Sequence, residues 1–450
     1  MSSLVPFDRS INDYKLFLVL AGVFPQEPMS TFGHTFLVLA PAEHDTPFLS
    51  WRAINFVANT ESVSPMMMYF RGAFFSLEGI YEEIYLHQKL QDYVGEASRE
   101  FRFFPIKVSD EEFEYLRYNL NVVKSVSHPY NFFAYNCAHG LYNLLYQSLD
   151  FLPSPRRRIM APLELVNILS DNDRLYTPFI RRSLMERIKE MTDDEQAELK
   201  YLEWLNRQAG TRMCLAREHQ MANLRHTLSQ RDVDREEFFI SDVEWERPHG
   251  YFRFEGGVIV DEDGIYSNIR FRPILHDITD NPHFFKSENT FELFSMSLNM
   301  RDSRIKLHRF DYLHVRSTPL HDKWFRSLSW SIYLGNVDSV NNFNFGLGKS
   351  FGLINRYDIV MESLVVNSVR YDNGFGNYLG LENQIYTRAN NRFRYGLAHV
   401  HLYRTFQNKK CKEAKFWFSF NMNNNNSLYT EGIYNSKTKF NLRFSLRRYF

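Results

Sequence analysis

Residues 440–450 read FNLRFSLRRYF, and their side chains alternate. Phe440, Leu442, Phe444 and Leu446 fall on one phase, and Asn441, Arg443, Ser445 and Arg447 on the other. A period of two is that of a β-strand with one apolar and one polar face. The pattern recurs upstream. Phe416, Phe418, Phe420 and Met422 alternate with Trp417, Ser419 and Asn421; Leu328, Trp330, Ile332 and Leu334 alternate with Ser329, Ser331 and Tyr333. Phe294, Met296, Leu298 and Met300 likewise alternate with Ser295, Ser297 and Asn299. Turn-forming clusters (DEDG, NVDS, YDNGFGN, NNNN) separate such runs. The spacing predicts roughly a dozen strands of about 9–11 residues, the length that crosses a bilayer at a tilt. One face is apolar and the other small or polar, as in an antiparallel barrel with lipid outside. A soluble sandwich also alternates, but its strands are commonly shorter. Arg309 and Lys349 stand on the apolar phase of their strands. Near a membrane rim such side chains snorkel; at mid-depth each costs about 2–4 kcal/mol.

Composition narrows the class. The 450 residues carry 53 basic and 53 acidic side chains, so the chain is not a globally basic nucleic-acid binder. Three cysteines exclude a disulfide scaffold and multi-cysteine zinc frameworks. No stretch approaches the ~20 apolar residues of a membrane helix. The surplus is aromatic: 41 Phe and 26 Tyr against 20 Gly, residues that favour strands and lipid interfaces. Residues 16–24 (LFLVLAGVF) are apolar, but Asp8 and Asp13 precede them and no clean small-residue cleavage site follows. The N-terminus therefore reads as that of a cytoplasmic protein or of one whose export signal has been removed.

The first 150 residues have a different texture. LFLVLAGVF, HTFLVLA and the run from Trp51 to Val57 read as strands, with Pro25, Pro28, Pro41 and Pro47 between them. Residues 64–100 read as helix and loop. Ser109 and Glu112 form a capping box that opens a helix to about Lys124. YNFFAYNCAHGLYNLLYQSL begins extended and becomes helical, with Leu141, Leu144, Leu145 and Leu149 on one face. Residues 153–248 read as a charged helical connector, with a second capping box at Thr192 and Glu195.

Two spots carry chemistry. In Phe32-Gly33-His34-Thr35-Phe36 a histidine opens an apolar strand; in Asn136-Cys137-Ala138-His139 a cysteine opens a helix. Unpaired backbone N–H groups and the positive helix end favour a thiolate there. A nearby imidazole completes the minimal pair for thiol catalysis. The bland alternative is a small core residue at Cys137 and a structural histidine at His34. Cys214 and Cys411 have no comparable setting.

The strings STFGHTFLVL, SWRAINF, RGAFFSLEGIYEEIYLHQKLQDYVGEASREFRFFPIKVSDEEFEYL and YNFFAYNCAHGLYNLL resemble the Lnb N-terminal periplasmic domain family over most of residues 15–150. IRFRPILHDITD and LHVRSTPLHDKWFRSLSWSIYLG resemble the β-rich region that often follows it. The ending RFSLRRYF resembles the last strand of bacterial outer-membrane barrels, with Arg448 where that strand usually carries an apolar or aromatic residue. The His-then-Cys order also resembles the circularly permuted papain-like hydrolases, including NlpC-type amidases and lecithin–retinol acyltransferase relatives. The resemblance implies Cys137 as nucleophile, His34 as base and Asn55 as the group that orients the imidazole, with Ser50 second for that role. Asn136 and the amide of Cys137 would support an oxyanion. Glu96 and Arg99 match charged family positions that would bind a polar substrate, or else pair with each other. Tyr130, Phe132, Phe133 and Tyr135 read as core aromatics or as the wall of a groove, and His139 as a surface residue or as a group that tunes the thiol.

The expected architecture is an α+β papain-like domain (10–152), a helical connector (153–248) and an all-β antiparallel barrel of roughly 12 strands (249–450). The expected protein is an outer-membrane protein of a Gram-negative envelope with its N-terminal domain in the periplasm. Its expected chemistry is thiol hydrolysis or acyl transfer at an amide or ester bond. The location points to outer-membrane lipid as partner and to peptidoglycan or lipid as substrate, with no nucleic acid, metal or organic cofactor. Two rivals stand beside it: a non-catalytic envelope binding protein, and a soluble two-domain protein with a β-sandwich.

Overall fold

The computed structural model describes residues 14–22, 33–41, 48–60, most of 64–91, 99–181 apart from short breaks, and 249–450 apart from residues 251, 274 and loop segments. Glu96, Phe133, Cys214 and the expected helix after Thr192 lie outside the described residues, as does the side chain of Cys411. The chain divides into two compact units.

The first unit is built on an antiparallel sheet. Strands β1 (Leu16–Ala21), β2 (His34–Leu39) and β3 (Arg52–Ala58) lie where the apolar runs predict them. Every residue of β1 is buried, which explains its continuous rather than alternating apolar run. Strands β4 (Leu77–Tyr85), β5 (Phe101–Pro105), β6 (His128–Tyr130) and β7 (Phe179–Arg181) complete the order β6-β4-β3-β2-β1-β5-β7. Residues 77–85, LEGIYEEIY, correct the helix-and-loop expectation. They pair with β3 from Tyr85↔Arg52 to Gly79↔Ala58, because partners on both sides outweigh the helical look of the paired glutamates.

Four described helices accompany the sheet: α1 (Leu86–Gln91), α2 (Asp110–Lys124), α3 (Cys137–Ser148) and α4 (Pro162–Asp171). Helix α2 starts at the expected capping box. The Ser109 hydroxyl accepts the Glu112 N–H at 3.1 Å, and the Glu112 carboxylate accepts the Ser109 N–H at 2.9 Å. Helix α3 lies on β2 and β3. A Cβ at Gly140 would stand 2.3 Å from the Phe56 ring, so glycine lets α3 approach the sheet.

The second unit is a closed barrel. Its strands are β8 (Arg253–Asp261), β9 (Gly264–Arg272), β10 (Leu275–His276), β11 (Asn289–Arg301), β12 (Arg304–Ser317), β13 (Ser329–Val337) and β14 (Val340–Ile354). They continue through β15 (Ile359–Tyr371), β16 (Phe375–Thr387), β17 (Phe393–Arg404), β18 (Lys410–Asn423), β19 (Asn426–Asn435) and β20 (Lys439–Tyr449). Neighbours pair antiparallel, β20 pairs with β8, and β9 pairs with β11. With the two-residue β10 set aside, twelve of the 13 strands close the ring. Closure excludes the sandwich.

The outward phase is largely apolar, with Val365, Leu381, Leu397, Phe416 and Phe444 all exposed, and it carries one polar row of Lys349, Ser363, Asn383 and His399. Exposed aromatics gather toward the two rims: Phe254, Phe271, Phe393 and Phe450 at one, Tyr371, Phe375, Tyr403 and Tyr434 at the other. The inward phase is mostly Ser, Asn, Gly and paired charges, with two buried apolar clusters around Trp417 and Leu364. An apolar belt with aromatic girdles around a polar interior belongs to a barrel that crosses a membrane, with every backbone group satisfied between strands.

The two phase-breaking cations resolve differently. A register shift opposite Ser297 and Leu298 makes His308 an extra residue of β12, and a second shift follows between Asp311 and Leu313. Between these bulges Arg309 turns inward and its Nε donates to both carboxylate oxygens of Asp311, at 2.7 and 2.8 Å. Lys349 remains outside but lies toward the end of β14, where its Nζ is 3.2 Å from His321 Nε2. That is the snorkelling position.

Candidate active site

His34 and Asn55 lie where two strands part. Strand β2 pairs with β3 only from Leu39↔Arg52 to Leu37↔Ile54. Beyond that pair the strands form a fork, with His34, Thr35 and Phe36 on one prong and Asn55 and Phe56 on the other. Gly33, at φ 78°, makes the left-handed entry to β2 that suits a residue without Cβ.

Pairing register places His34, Phe36 and Asn55 on one face of the sheet. The His34 ring stacks over Phe36 at 6.3 Å between centroids. Asn55 hydrogen-bonds the imidazole, which raises its affinity for a proton. Burial outweighs this, and the charges of Lys89 and Arg99 add to it, so the His34 pKa falls well below the ordinary histidine value. At neutral pH His34 is an uncharged base.

Cys137 is the first residue of α3 and is 5% exposed. Three backbone N–H groups, of Thr35, Ala138 and Cys137 itself, favour its thiolate, as does the charge of Lys89. Burial is the larger effect and pushes the thiol pKa up. The resting site therefore holds a protonated thiol and a neutral imidazole. Cys137 meets the backbone of residue 35, and His34 meets Asn55, so two links of the expected constellation join adjacent residues of β2.

The supporting residues separate. Asn136 is the N-cap of α3: its Oδ1 accepts the His139 N–H at 3.2 Å. Its Nδ2 donates to Met160 O at 2.7 Å and Phe132 O at 3.2 Å. With both amide hydrogens given to carbonyls, Asn136 fixes the helix start. His139 is buried rather than superficial, its ring 4.9 Å from that of Tyr135, because the tight seat of α3 on the sheet turns its first turn inward. Tyr135 itself is exposed. Arg99 is buried and its charge reaches His34. Ser50 lies in the short turn ahead of β3.

Sequence reading missed Lys89, a buried cation of α1 whose charge acts on both His34 and Cys137. It also missed Tyr81, whose hydroxyl donates to the Gly140 carbonyl at 2.8 Å and ties α3 to β4. The apolar frame of Lys89, Leu86 and Leu90, was the available signal for its burial.

Residues 5–172 match the model of the Lnb N-terminal periplasmic domain family, and residues 245–449 match a domain of unknown function, DUF7840. A search of the curated proteins found no match. Among solved structures, the KdgM porin is 12% identical and covers 44% of this chain and 99% of its own, with a TM-score of 0.30. Omp33, an outer membrane protein of Acinetobacter baumannii, is 7% identical over 45% of this chain and 99% of its own, at a TM-score of 0.28. OmpT of Vibrio cholerae is 9% identical over 44% and 98%, at 0.25. The barrel stands on its own strand pairing rather than on these likenesses. Residues 5–172 are similar to the Lnb N-terminal periplasmic domain, and the chain that carries them is an envelope protein with a twelve-strand outer-membrane barrel.

Proposed function

We propose that the periplasmic unit performs thiol-dependent acyl transfer or hydrolysis, and that the barrel holds it at the outer membrane. The observation that supports this best is the setting of Cys137. A buried thiol opens a helix at a strand fork, where the backbone N–H groups of Thr35, Ala138 and Cys137 favour its thiolate and His34, bonded to Asn55, adjoins Thr35 in β2.

In this reading Cys137 attacks the carbonyl carbon of an amide or ester. His34 takes the thiol proton and returns it to the leaving amine or alcohol as the C–N or C–O bond breaks. The acyl group stays on sulfur as a thioester. Water or an acceptor nucleophile then attacks the thioester, loses its proton to His34, and restores the thiol. Asn55 orients the imidazole. Backbone N–H groups at the start of α3 stabilise the oxyanion, since Asn136 is committed to the cap. Peptidoglycan stem peptides and membrane lipids are the amides and esters that this location offers.

The test uses the purified full chain in detergent, an electrophilic thiol probe and intact-mass detection of acyl adducts. Cys137 should carry the label and the acyl group. His34→Gln should slow acylation by about 100-fold or more, the usual contribution of a general base. Hydrolysis that survives Cys137→Ala, or an acyl group found on a residue other than Cys137, overturns the assignment. The burial of Cys137 favours a second reading, a binding module without chemistry. Absence of any acyl adduct with envelope lipid or peptidoglycan fragments would select it.

A further inference from the structure

We infer that the barrel is a stoppered anchor and not a channel: the turn at residues 275–280 folds into the lumen and seals the mouth at which the barrel chain enters and leaves. Strand β8 starts at this mouth and β20 ends there. So do the connections 277–288 and 318–328, whereas the opposite mouth carries the two-residue turns 262–263, 302–303 and 338–339. Asp302, Ser303, Asp338 and Ser339 all have φ between 48° and 70°, the primed hairpin geometry. Single-chain outer-membrane barrels ordinarily place their short turns on the side of the chain ends. Here the long connections are on that side.

The turn is held from several walls at once. Asp280, with no exposed surface, accepts the Tyr449 hydroxyl of β20 at 2.6 Å and is ion-paired to Arg253 of β8. Its backbone carbonyl accepts Arg394 of β17 at 2.6 Å. Thr279 Oγ1 accepts Arg447 of β20 at 2.7 Å, and Asp277 accepts Arg272 of β9 at 2.7 Å. Between these ties Ile278 packs on a luminal apolar cluster of Leu320, Val360, Tyr386, Trp417 and Tyr429. A second span crosses nearby: Arg316 of β12 reaches Glu362 of β15 at 2.7 Å and Glu382 of β16 at 2.5 Å.

Each charge in this layer meets an opposite charge or a carbonyl in a dehydrated setting, where removing one partner is strongly destabilising. A turn tied to β8, β9, β17 and β20 does not swing aside as a free loop does. Beyond it lies a cavity of about 870 Å³ lined by Asp277, Ile278 and Thr279 and extending to Val340 and Gly376 at the tight-turn mouth. The lumen is thus a blind pocket, which separates this barrel from a pore despite its strand number.

The experiment is conductance of the purified full chain in planar bilayers, with folding read from heat-modifiable gel migration. The wild type should show no sustained open-channel steps. A steady open conductance overturns the proposal. Asp280→Ala removes the hub of the ties, and Ile278→Gly removes the apolar peg while leaving every ion pair. Either variant, when folded, should conduct. A folded Ile278→Gly or Asp280→Ala chain that stays sealed shows that another element closes the lumen and overturns the assignment. Should neither variant fold, the wild type decides alone through swelling of liposomes in small sugars: swelling overturns the proposal, and none supports it.

Discussion

His34 places a titratable ring in a partly buried position, beside the charges of Lys89 and Arg99. In the unfolded chain a histidine titrates near ~6.5. In the folded unit His34 stays neutral well below that. Between the two values the unfolded chain binds a proton that the folded chain refuses, so this contribution makes stability rise with pH and fall on acidification below about 6.5. His34→Gln should flatten the acid limb of a pH–stability curve for the periplasmic unit by up to one proton; an unchanged slope would show that the ring is charged or hydrated. Cys137 predicts the opposite-facing experiment. Burial holds its thiol above the ordinary range, so alkylation of Cys137 should climb with pH through and beyond the usual cysteine inflection near ~8.5. Lys89→Met should move that inflection higher still, because the Lys89 charge favours the thiolate. At this scale the two principal residues were legible, since Gly33-His34 and Asn136-Cys137 mark a strand entry and a helix start. Lys89 was less so, because a lysine in a short helix ordinarily points to solvent and only its flanking Leu86 and Leu90 mark the buried face.

Helix α3 owes the position of its first residue to what happens three residues on. Gly140 lies against Phe56, and its carbonyl takes the Tyr81 hydroxyl. Gly140→Ala places a methyl where the Phe56 ring stands, so either the ring or the helix must shift. Overpacking of this kind typically costs about 1–3 kcal/mol. The variant should lower the thermal midpoint of the periplasmic unit and slow Cys137 labelling together; Gly140→Ala with Phe56→Leu should recover part of both. Loss of stability without change at the thiol would mean that the fork, and not the helix seat, fixes the sulfur. The elements show what a sequence pattern carries and what it omits. The capping box at Ser109 was legible because both its bonds are local. Strand β4 was hidden, because LEGIYEEIY becomes a strand only through β3 and β6, partners remote in sequence. The bulges of β12 were equally hidden: His308 becomes the extra residue only by comparison with the register of β11.

The barrel was the most legible part of the whole molecule, because a closed antiparallel ring repeats one rule on every strand: apolar out, small or polar in. What alternation did not reveal is which connections face which side, since that depends on the inward fold of 275–280 and not on strand periodicity. The same rule gives a test of how deeply the barrel sits in lipid. Val365 is 53% exposed at the middle of β15, in register with Leu347 of β14 and Leu381 of β16, two further outward residues. A lysine there stands one outward row deeper than Lys349, between the apolar side chains of Leu347 and Leu381. Phe375 is 79% exposed at the first residue of β16, beside Tyr371, where a lysine can extend its ammonium into water. In reversible unfolding from bilayers, Val365→Lys should lose about 2–4 kcal/mol and Phe375→Lys about 0–1 kcal/mol. Substituting serine at both places controls for lost apolar area. Equal losses for the two lysines would mean that no hydrocarbon band surrounds β15 and β16. A larger loss at Phe375 would shift the band toward the tight-turn mouth. The expected order, mid-strand far above rim, follows from membrane depth alone, because both positions are outward, exposed and free of carboxylate neighbours in the pairing register.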